Sequence, residues 1–404
     1  MPEIPIPLGR RRELAVSDQE AIGPGAWRGL NAALIGQPGS RARLQTPALV
    51  IDLDRLEANV AKMAAHAAAR KIALRPHAKT HKSVEIARRQ IAAGALGICA
   101  AKLGEAEALA DGGIDSLLIT SPVVTDAGIA RLIALHERIG ELIAVCDNAE
   151  VAARLADSAR ASSRPLKLLV DIDPGLGRTG VRPAEGAHAL VRRVAREPAF
   201  AFMGLQCYAG HLQHLESPNE RRAKSLEALV ELDMLCARLR RDGIEPRILT
   251  GGGTGTFDID PDAAVLTELQ VGSYVFMDRQ YNEIWTKPGD RVPFETALFV
   301  QTTVISANRP GLATTDAGFK AFATDAGPPE IASGAPPGAS YFFFGDEQGG
   351  IFYTGGDAPL KPTDVIFCVV PHCDPTVNLY DRYHVVRGDM LEAIWPVDAR
   401  GRSA

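Results

Sequence analysis

No apolar run in this sequence comes near the roughly 20 residues a membrane-spanning helix needs, so a transmembrane segment is not expected. Charge of one sign is missing too. The 404 residues carry 44 Lys and Arg against 49 Asp and Glu, a net charge of -5. That balance leaves no broad basic surface and argues against nucleic acid as a partner. Cysteine is sparse, with six along the chain. Cys99, Cys146, Cys207, Cys236, Cys368 and Cys373 sit mostly in apolar strand-like stretches, which suits reduced thiols better than a disulfide framework. The opening residues MPEIPIPLGRRRELAVSDQE have arginines without an apolar stretch behind them, so no secretory signal is read there. These absences leave a cytoplasmic enzyme as the expectation.

What is present is length enough for two domains, with the 46% hydrophobic content of an ordinary globular chain. Residues 1–45 are rich in Pro, Gly and Arg and read as an N-terminal arm. TPALVIDL (46–53) is a short strand, and the segment after it has helical spacing with Asp54 as the expected N-cap. A rhythm of short apolar runs and longer amphipathic pieces follows. The runs are IALRPHAK, GICAA, SLLIT, LIAVCD, LKLLVDID, FMGLQCYAG, RILTGGG and ELQVGSYVFMD, eight expected strands. Strands alternating with helices imply a parallel sheet, and eight units imply an α/β (β/α)8 barrel over 46–285, with a doubly wound open sheet as the alternative. The strand at 46–53 is also free to join a later sheet. From 286 to 404 the pattern turns to β-branched and aromatic residues with Gly, Pro and Asp turns, which reads as a smaller C-terminal β domain.

In a barrel, chemistry gathers where strands end. Lys79 ends the first expected strand inside RPHAKTHK, with Arg75, His77, His81 and Lys82 around it. A lysine that forms a Schiff base must be partly unprotonated, and neighbouring cations lower its pKa. The plain alternative is a solvated basic turn; Lys82 is the rival amine, but it lies past the strand end. Arg178 lies in the loop after the fifth strand, Tyr208, His211 and His214 follow the sixth, and Tyr274 is placed late in the eighth. TGGGTGT (250–256) ends the seventh, and its backbone N–H groups could cradle a phosphate, with a tight turn as the alternative. Near the C-terminus stands PHCDPTVNLYD. Read as a strand, it puts His372 and Asp374 on one face at i, i+2, a pair able to hold a divalent cation. HxD is a common spacing, and taken alone it reads more readily as an ordinary hydrogen-bonded pair. The mixed N/O set favours Mn or Mg over Zn.

Four stretches, RPHAKTHK, TGGGTGT with TELQVGSYVFMD, DAGFKAF and PHCDPTVNLYD, resemble the fold type III pyridoxal-phosphate (PLP) enzymes with an alanine-racemase-like barrel, of the D-threonine aldolase and D-serine dehydratase group. The resemblance implies that Lys79 carries PLP. It implies contacts to the cofactor from His77, Arg178 and Tyr208, and a phosphate cup from Thr250, Gly252, Gly253, Thr254 and Tyr274. It implies a divalent metal on His372 and Asp374, and a homodimer that shares its active site. Dehydratases of the group tend to have Cys where this chain has Asp374, which tilts the reading toward an aldolase acting on a D-β-hydroxy-α-amino acid. One departure concerns the base. The aldolases often place His directly after the tyrosine matching Tyr208, whereas here Ala209 fills that slot and His211 is the expected substitute. A dehydratase giving a 2-oxo acid, and a PLP carrier without turnover, are the alternatives.

Overall fold

A computed structural model of the chain describes residues 28–182, 186–285, 292–354 and 359–404. Most of the expected arm, and the boundary expected after residue 285, therefore lie at or outside the described residues. The chain enters through β1 (Ala48–Asp52) and α1 (Leu53–Arg70). Leu53, Leu56, Val60, Met63 and Ala67 of α1 are buried, at steps of three and four, so one face of the helix packs on the core. Its N-cap is Asp52, which accepts from Arg55 N, and not the expected Asp54, which falls inside the first turn.

The eight strands follow as β2 (Ala73–Leu74), β3 (Ile98–Ala100), β4 (Ser116–Ile119), β5 (Glu141–Cys146), β6 (Leu166–Ile172), β7 (Phe200–Cys207), β8 (Ile248–Gly251) and β9 (Glu268–Leu269). Helices α2 (Val84–Ala92), α3 (Leu103–Asp111), α4 (Asp126–Arg138), α5 (Ala149–Ala159), α6 (His188–Arg196) and α7 (Pro218–Arg241) succeed β2 to β7 in turn. All ladders are parallel, in the order β2-β9-β8-β7-β6-β5-β4-β3. The ring is completed by the basic stretch itself. Leu96 N donates to Leu74 O (2.9 Å), Cys99 N to Pro76 O (2.8 Å) and Ala78 N to Cys99 O (2.8 Å), while His77 N reaches Val271 O (2.9 Å) on the other side. Residues 75–78 thus bridge β3 and the chain beyond β9, and the curled sheet is the expected barrel. The last strand is shorter than expected. Its ladder stops at Leu269, and Ser273–Val275 is a 3-10 turn, which takes Tyr274 off the strand.

After α8 (Arg279–Glu283) come β10 (Leu298–Arg309), β11 (Leu312–Thr315), β12 (Glu330–Ser333), β13 (Ser340–Phe343), β14 (Gly349–Phe352) and β15 (Val365–Val369). Then α9 (Cys373–Val377), β16 (Arg382–Arg387) and β17 (Met390–Pro396) complete the chain. The second sheet runs β13-β14-β11-β10-β1-β16-β17, with β15 on β10 and β12 on β15. β1 is therefore an inner strand of the C-terminal sheet, antiparallel to β10 and parallel to β16. The two lobes are threaded through each other, so neither is a simple sequential block.

Two buried polar groups make the fold sensitive to mutation and pH. Arg75 and Glu268 pair at 3.0 Å with both side chains 3% exposed, fastening the residue after β2 to β9. Removing one member of a buried pair strands the other charge. Glu268→Ala is expected to lose about 3–5 kcal/mol of stability in urea titration. His384 donates from Nδ1 to Leu49 O and accepts at Nε2 from Asn31, whose side chain also bonds both the N–H and the carbonyl of Gln45. Burial pushes this imidazole down from 6.5 to about 4. The unfolded chain then binds the extra proton between those two values, so this contribution is full above pH 6.5 and fades as pH falls toward 4. His384→Gln is expected to flatten the slope of stability against pH in that window, by roughly 3 kcal/mol across it.

Candidate active site

At the C-terminal rim of the barrel lies a cavity of about 540 Å³. Its lining comes from the ends of β2 to β9 and includes His77, Lys79, Thr120, Asp147, Arg178, Gln206, Tyr208, Gly253, Thr254, Gln270, Gly272, Ser273 and Tyr281. The basic stretch is partitioned among different partners. Arg75 is spent on Glu268, and Lys82 is buried against Glu105, which removes it as the rival amine. His77 and His81 are buried imidazoles, and desolvation pushes the first well below its ordinary value and the second to about 4. His77 accepts at Nδ1 from Lys79 N (3.3 Å), which leaves Nε2 to donate to Thr120 Oγ1 (3.0 Å).

Only Lys79 of this cluster opens into the cavity as an amine, and its Nζ stands 3.2 Å from Asp374 Oδ2. Asp374 raises the lysine's pKa, against the desolvation that would lower it. The expectation that surrounding cations depress Lys79 is thereby overturned, because each of those cations is neutral or paired elsewhere. Burial alone would raise Asp374, yet Lys79 and His372 hold its carboxyl at about 2.

The HxD segment is not a strand. His372 caps the short helix α9, and Asp374 lies in its first turn, so the i, i+2 argument fails while the two side chains still come to one place. Asp278 sets that place, since its Oδ2 accepts from Cys373 N (2.8 Å) and its Oδ1 from Tyr281 N (2.9 Å). One buried carboxylate thus ties α9 of the C-terminal lobe to α8 at the barrel's exit. The His372 imidazole meets Asp325 through Nδ1 at 2.6 Å. When the ring is neutral and Nδ1–H donates to that carboxylate, Nε2 keeps a lone pair, the arrangement usual for a metal-ligating histidine.

The expected base His211 and the nearby His214 are both exposed, and neither lines the cavity. The turn Gly210–Leu212 carries His211 outward. His214 instead stacks on Tyr281 with ring centroids 4.4 Å apart. Desolvation pushes it down to about 4, with His372 and Lys79 adding to the effect, so it lies within their field while one side remains open to solvent.

The glycine loop is built on the side chain of Gln213. Its Oε1 accepts from Gly255 N (2.9 Å) and its Nε2 donates to Thr256 Oγ1 (3.1 Å), while Thr256 donates to Asp260 (2.6 Å). Gly252 has φ +68, and a Cβ at Gly253 would collide with Gln213, so both positions require glycine. Thr254 Oγ1 accepts from Tyr274 N (3.0 Å), leaving its hydroxyl hydrogen to donate into the cavity. Three expected cup residues are absent from this cavity's lining, Gly252 among them. The Tyr274 hydroxyl accepts from Gln90 and its ring packs on Phe294, away from the cavity. Thr250 lies beneath, accepting from Gln270. Gly272 and Ser273 supply the second wall instead. Arg178 lies over the Tyr208 ring at 5.6 Å.

Sequence reasoning missed Gln206, Gln270, Thr120, Asp147, Tyr281 and Asp325. A signal existed for two of them, since GLQCY and ELQVG each interrupt an apolar strand with a glutamine.

Comparison with known proteins bears on this geometry. The family model of the alanine racemase N-terminal domain matches residues 51–280, and that of a serine dehydratase domain matches 297–386. The chain belongs to the alanine racemase N-terminal domain family. A 3-hydroxy-D-aspartate aldolase of Paracoccus denitrificans (strain Pd 1222) is 38% identical over 90% of this chain and 95% of its own. A D-threonine aldolase of an Arthrobacter species is 39% identical over 93% and 98%. The crystal structure of a D-threonine aldolase from Filomicrobium marinum superposes with a TM-score of 0.85 at 37% identity, covering 90% of this chain and 97% of that one.

The residues present fit the family's PLP. A reachable amine, a glycine loop and a free threonine O–H donor border one cavity. They also fit a divalent cation in donor chemistry, with one imidazole nitrogen left open and one carboxylate, although no group of three or more His, Cys, Asp or Glu gathers there among the described residues. His214→Ala is expected to lower kcat about 10²–10⁴-fold, the range for a lost acid–base group, while His211→Ala leaves it within a few-fold. Steady-state kinetics of the two variants checks this.

Proposed function

We propose that this chain is a PLP- and divalent-metal-dependent carbon–carbon lyase that cleaves D-β-hydroxy-α-amino acids of the D-threonine or 3-hydroxy-D-aspartate kind into glycine and an aldehyde. The observation that carries the reading is the meeting of the cavity lysine with the HxD segment, Lys79 Nζ lying 3.2 Å from Asp374 Oδ2. Family membership supports it, and so do the two aldolases at 38% and 39% identity.

Lys79 anchors the cofactor, and Gly253, Thr254, Gly272 and Ser273 offer donors for its phosphate. Arg178 and Tyr208, stacked on each other in the cavity wall, would help hold the cofactor. Bound PLP supplies an electron sink for charge at the substrate's α-carbon. His372 and Asp374 hold the divalent cation, Mn or Mg by their N/O chemistry, which supplies Lewis acidity toward a hydroxyl. His214 removes the proton from the substrate's β-hydroxyl oxygen. The Cα–Cβ bond then breaks, its electron pair staying on Cα and the aldehyde leaving. Lys79 returns a proton to Cα to give glycine. The working unit is a homodimer whose partner closes the cavity, acting in the cytoplasm.

One observation favours a second reading. Residues 297–386 match a serine dehydratase domain, and the same cavity with Cα–H abstraction by Lys79 would yield a 2-oxo acid and ammonia. Product analysis separates them. Purified PLP-loaded protein is incubated with D-threonine or D-3-hydroxyaspartate, with Mn²⁺ or with EDTA. Glycine plus aldehyde that depends on the metal is expected, and it is lost in Lys79→Ala. A 2-oxo acid with ammonia would overturn the aldolase assignment, and bound PLP without either product would favour a carrier.

A further inference from the structure

A line of polar side chains crosses the cavity floor, and its hydrogen bonds run in one direction. Gln206, on β7, has its Nε2 between the Thr120 carbonyl (2.9 Å) and Asp171 Oδ1 (2.8 Å). Both partners can only accept while Asp171 is ionised, so the amide orientation of Gln206 is fixed and its Oε1 must receive a donor. That donor is Gln270 Nε2 at 3.1 Å, whose second hydrogen goes to Thr250 Oγ1 at 3.1 Å. Both amide hydrogens of Gln270 are therefore committed. Its Oε1 takes no hydrogen bond from any described residue, yet the side chain lines the cavity. A carbonyl and a carboxylate thus dictate, two residues away, that Gln270 shows the cavity an acceptor and no donor.

We propose that Gln270 Oε1 receives a hydrogen bond from the protonated ring nitrogen of PLP, so that the site holds the cofactor as its pyridinium. This rests on the PLP reading above and extends it to the cofactor's electronic state. The phenolate and phosphate oxygens of PLP are acceptors and would be repelled by Oε1, and the methyl group offers nothing polar. The ring nitrogen is the one ring atom that can bring a hydrogen, and only when protonated. Asp171 anchors the far end of the line and also accepts from Thr179 Oγ1 (2.8 Å). Burial pushes its carboxyl up to about 6, so above that pH it is ionised. The two amide dipoles then align from the pyridinium to the carboxylate and strengthen one another. A protonated ring nitrogen makes the cofactor a stronger electron sink, as carbon–carbon cleavage requires. Gln206 and Asp171 are positioning residues in this arrangement, acting on the cofactor through Gln270.

The test is ¹⁵N NMR of the holoenzyme loaded with PLP labelled at its ring nitrogen, at pH 7.5. The upfield resonance of a protonated pyridine, with one-bond N–H coupling, is expected for the wild type and for Gln270→Glu, which keeps the acceptor. Gln270→Leu and Gln270→Arg should lose the coupling and move the resonance downfield, with Asp171→Asn intermediate. An unprotonated nitrogen in the wild type would overturn the proposal, and so would a protonated signal unchanged in Gln270→Leu. A shift in KM for the amino acid without change in the ¹⁵N signal would also overturn it, assigning Gln270 to substrate. Absence of any protein-bound ¹⁵N signal would instead refute the PLP reading itself.

Discussion

Buried charge must find a counter-charge, and the site depends on how that requirement is met along eight residues. RPHAKTHK carries three permanent cations and two imidazoles into a closing barrel. Arg75 takes Glu268 and Lys82 takes Glu105, both within the barrel lobe. The imidazoles stay neutral through desolvation. Lys79 alone is left to face the cavity, and its partner Asp374 comes from the other lobe. The same stretch supplies the hydrogen bonds that close the sheet between β2 and β3. Fold closure and placement of the amine are therefore one event, and a substitution that disturbs either disturbs both.

The second lobe is positioned by equally local means. β1 leaves the barrel's sequence neighbourhood to sit between β10 and β16, so the C-terminal sheet cannot form without the start of the chain. Asp278 then fixes α9 against α8 with two backbone hydrogen bonds, which brings His372 and Asp374 over the barrel rim. Asp325 orients the imidazole. None of these carboxylates touches the cavity as a reactant, yet each decides where a reactant stands.

Much of this was legible in the sequence. The eight barrel strands appear in the expected order because a parallel strand is a short apolar run and the intervening helices carry a 3.6-residue period. Lys79, Arg178, Tyr208, Gly253 and Thr254 were found because loop residues at strand ends carry few structural duties. What was not legible depends on side-chain direction. His211 and His214 are three residues apart, and only the folded chain shows that His214 packs on Tyr281 within the field of Lys79. Tyr274 left the cup because β9 ends after two residues and a 3-10 turn rotates the phenol toward Gln90. The basic cluster was misread for a related reason. Its electrostatic effect depends on Glu268 and Glu105, distant in sequence, which cancel cations that a linear reading leaves standing. Polar residues inside β6 and β7 and just past β9 were passed over as strand, although Asp171, Gln206 and Gln270 form one directed line.

Lys79, and not Lys82, is the amine of the basic stretch that the partition of charges leaves for the cofactor. Borohydride reduction of the PLP-loaded protein, followed by peptide mapping, tests it directly. A pyridoxyl adduct on Lys79, with Lys82 unmodified, is the result the partition of charges predicts. An adduct on Lys82 would contradict it, since that amine would first have to abandon Glu105 in the buried interior.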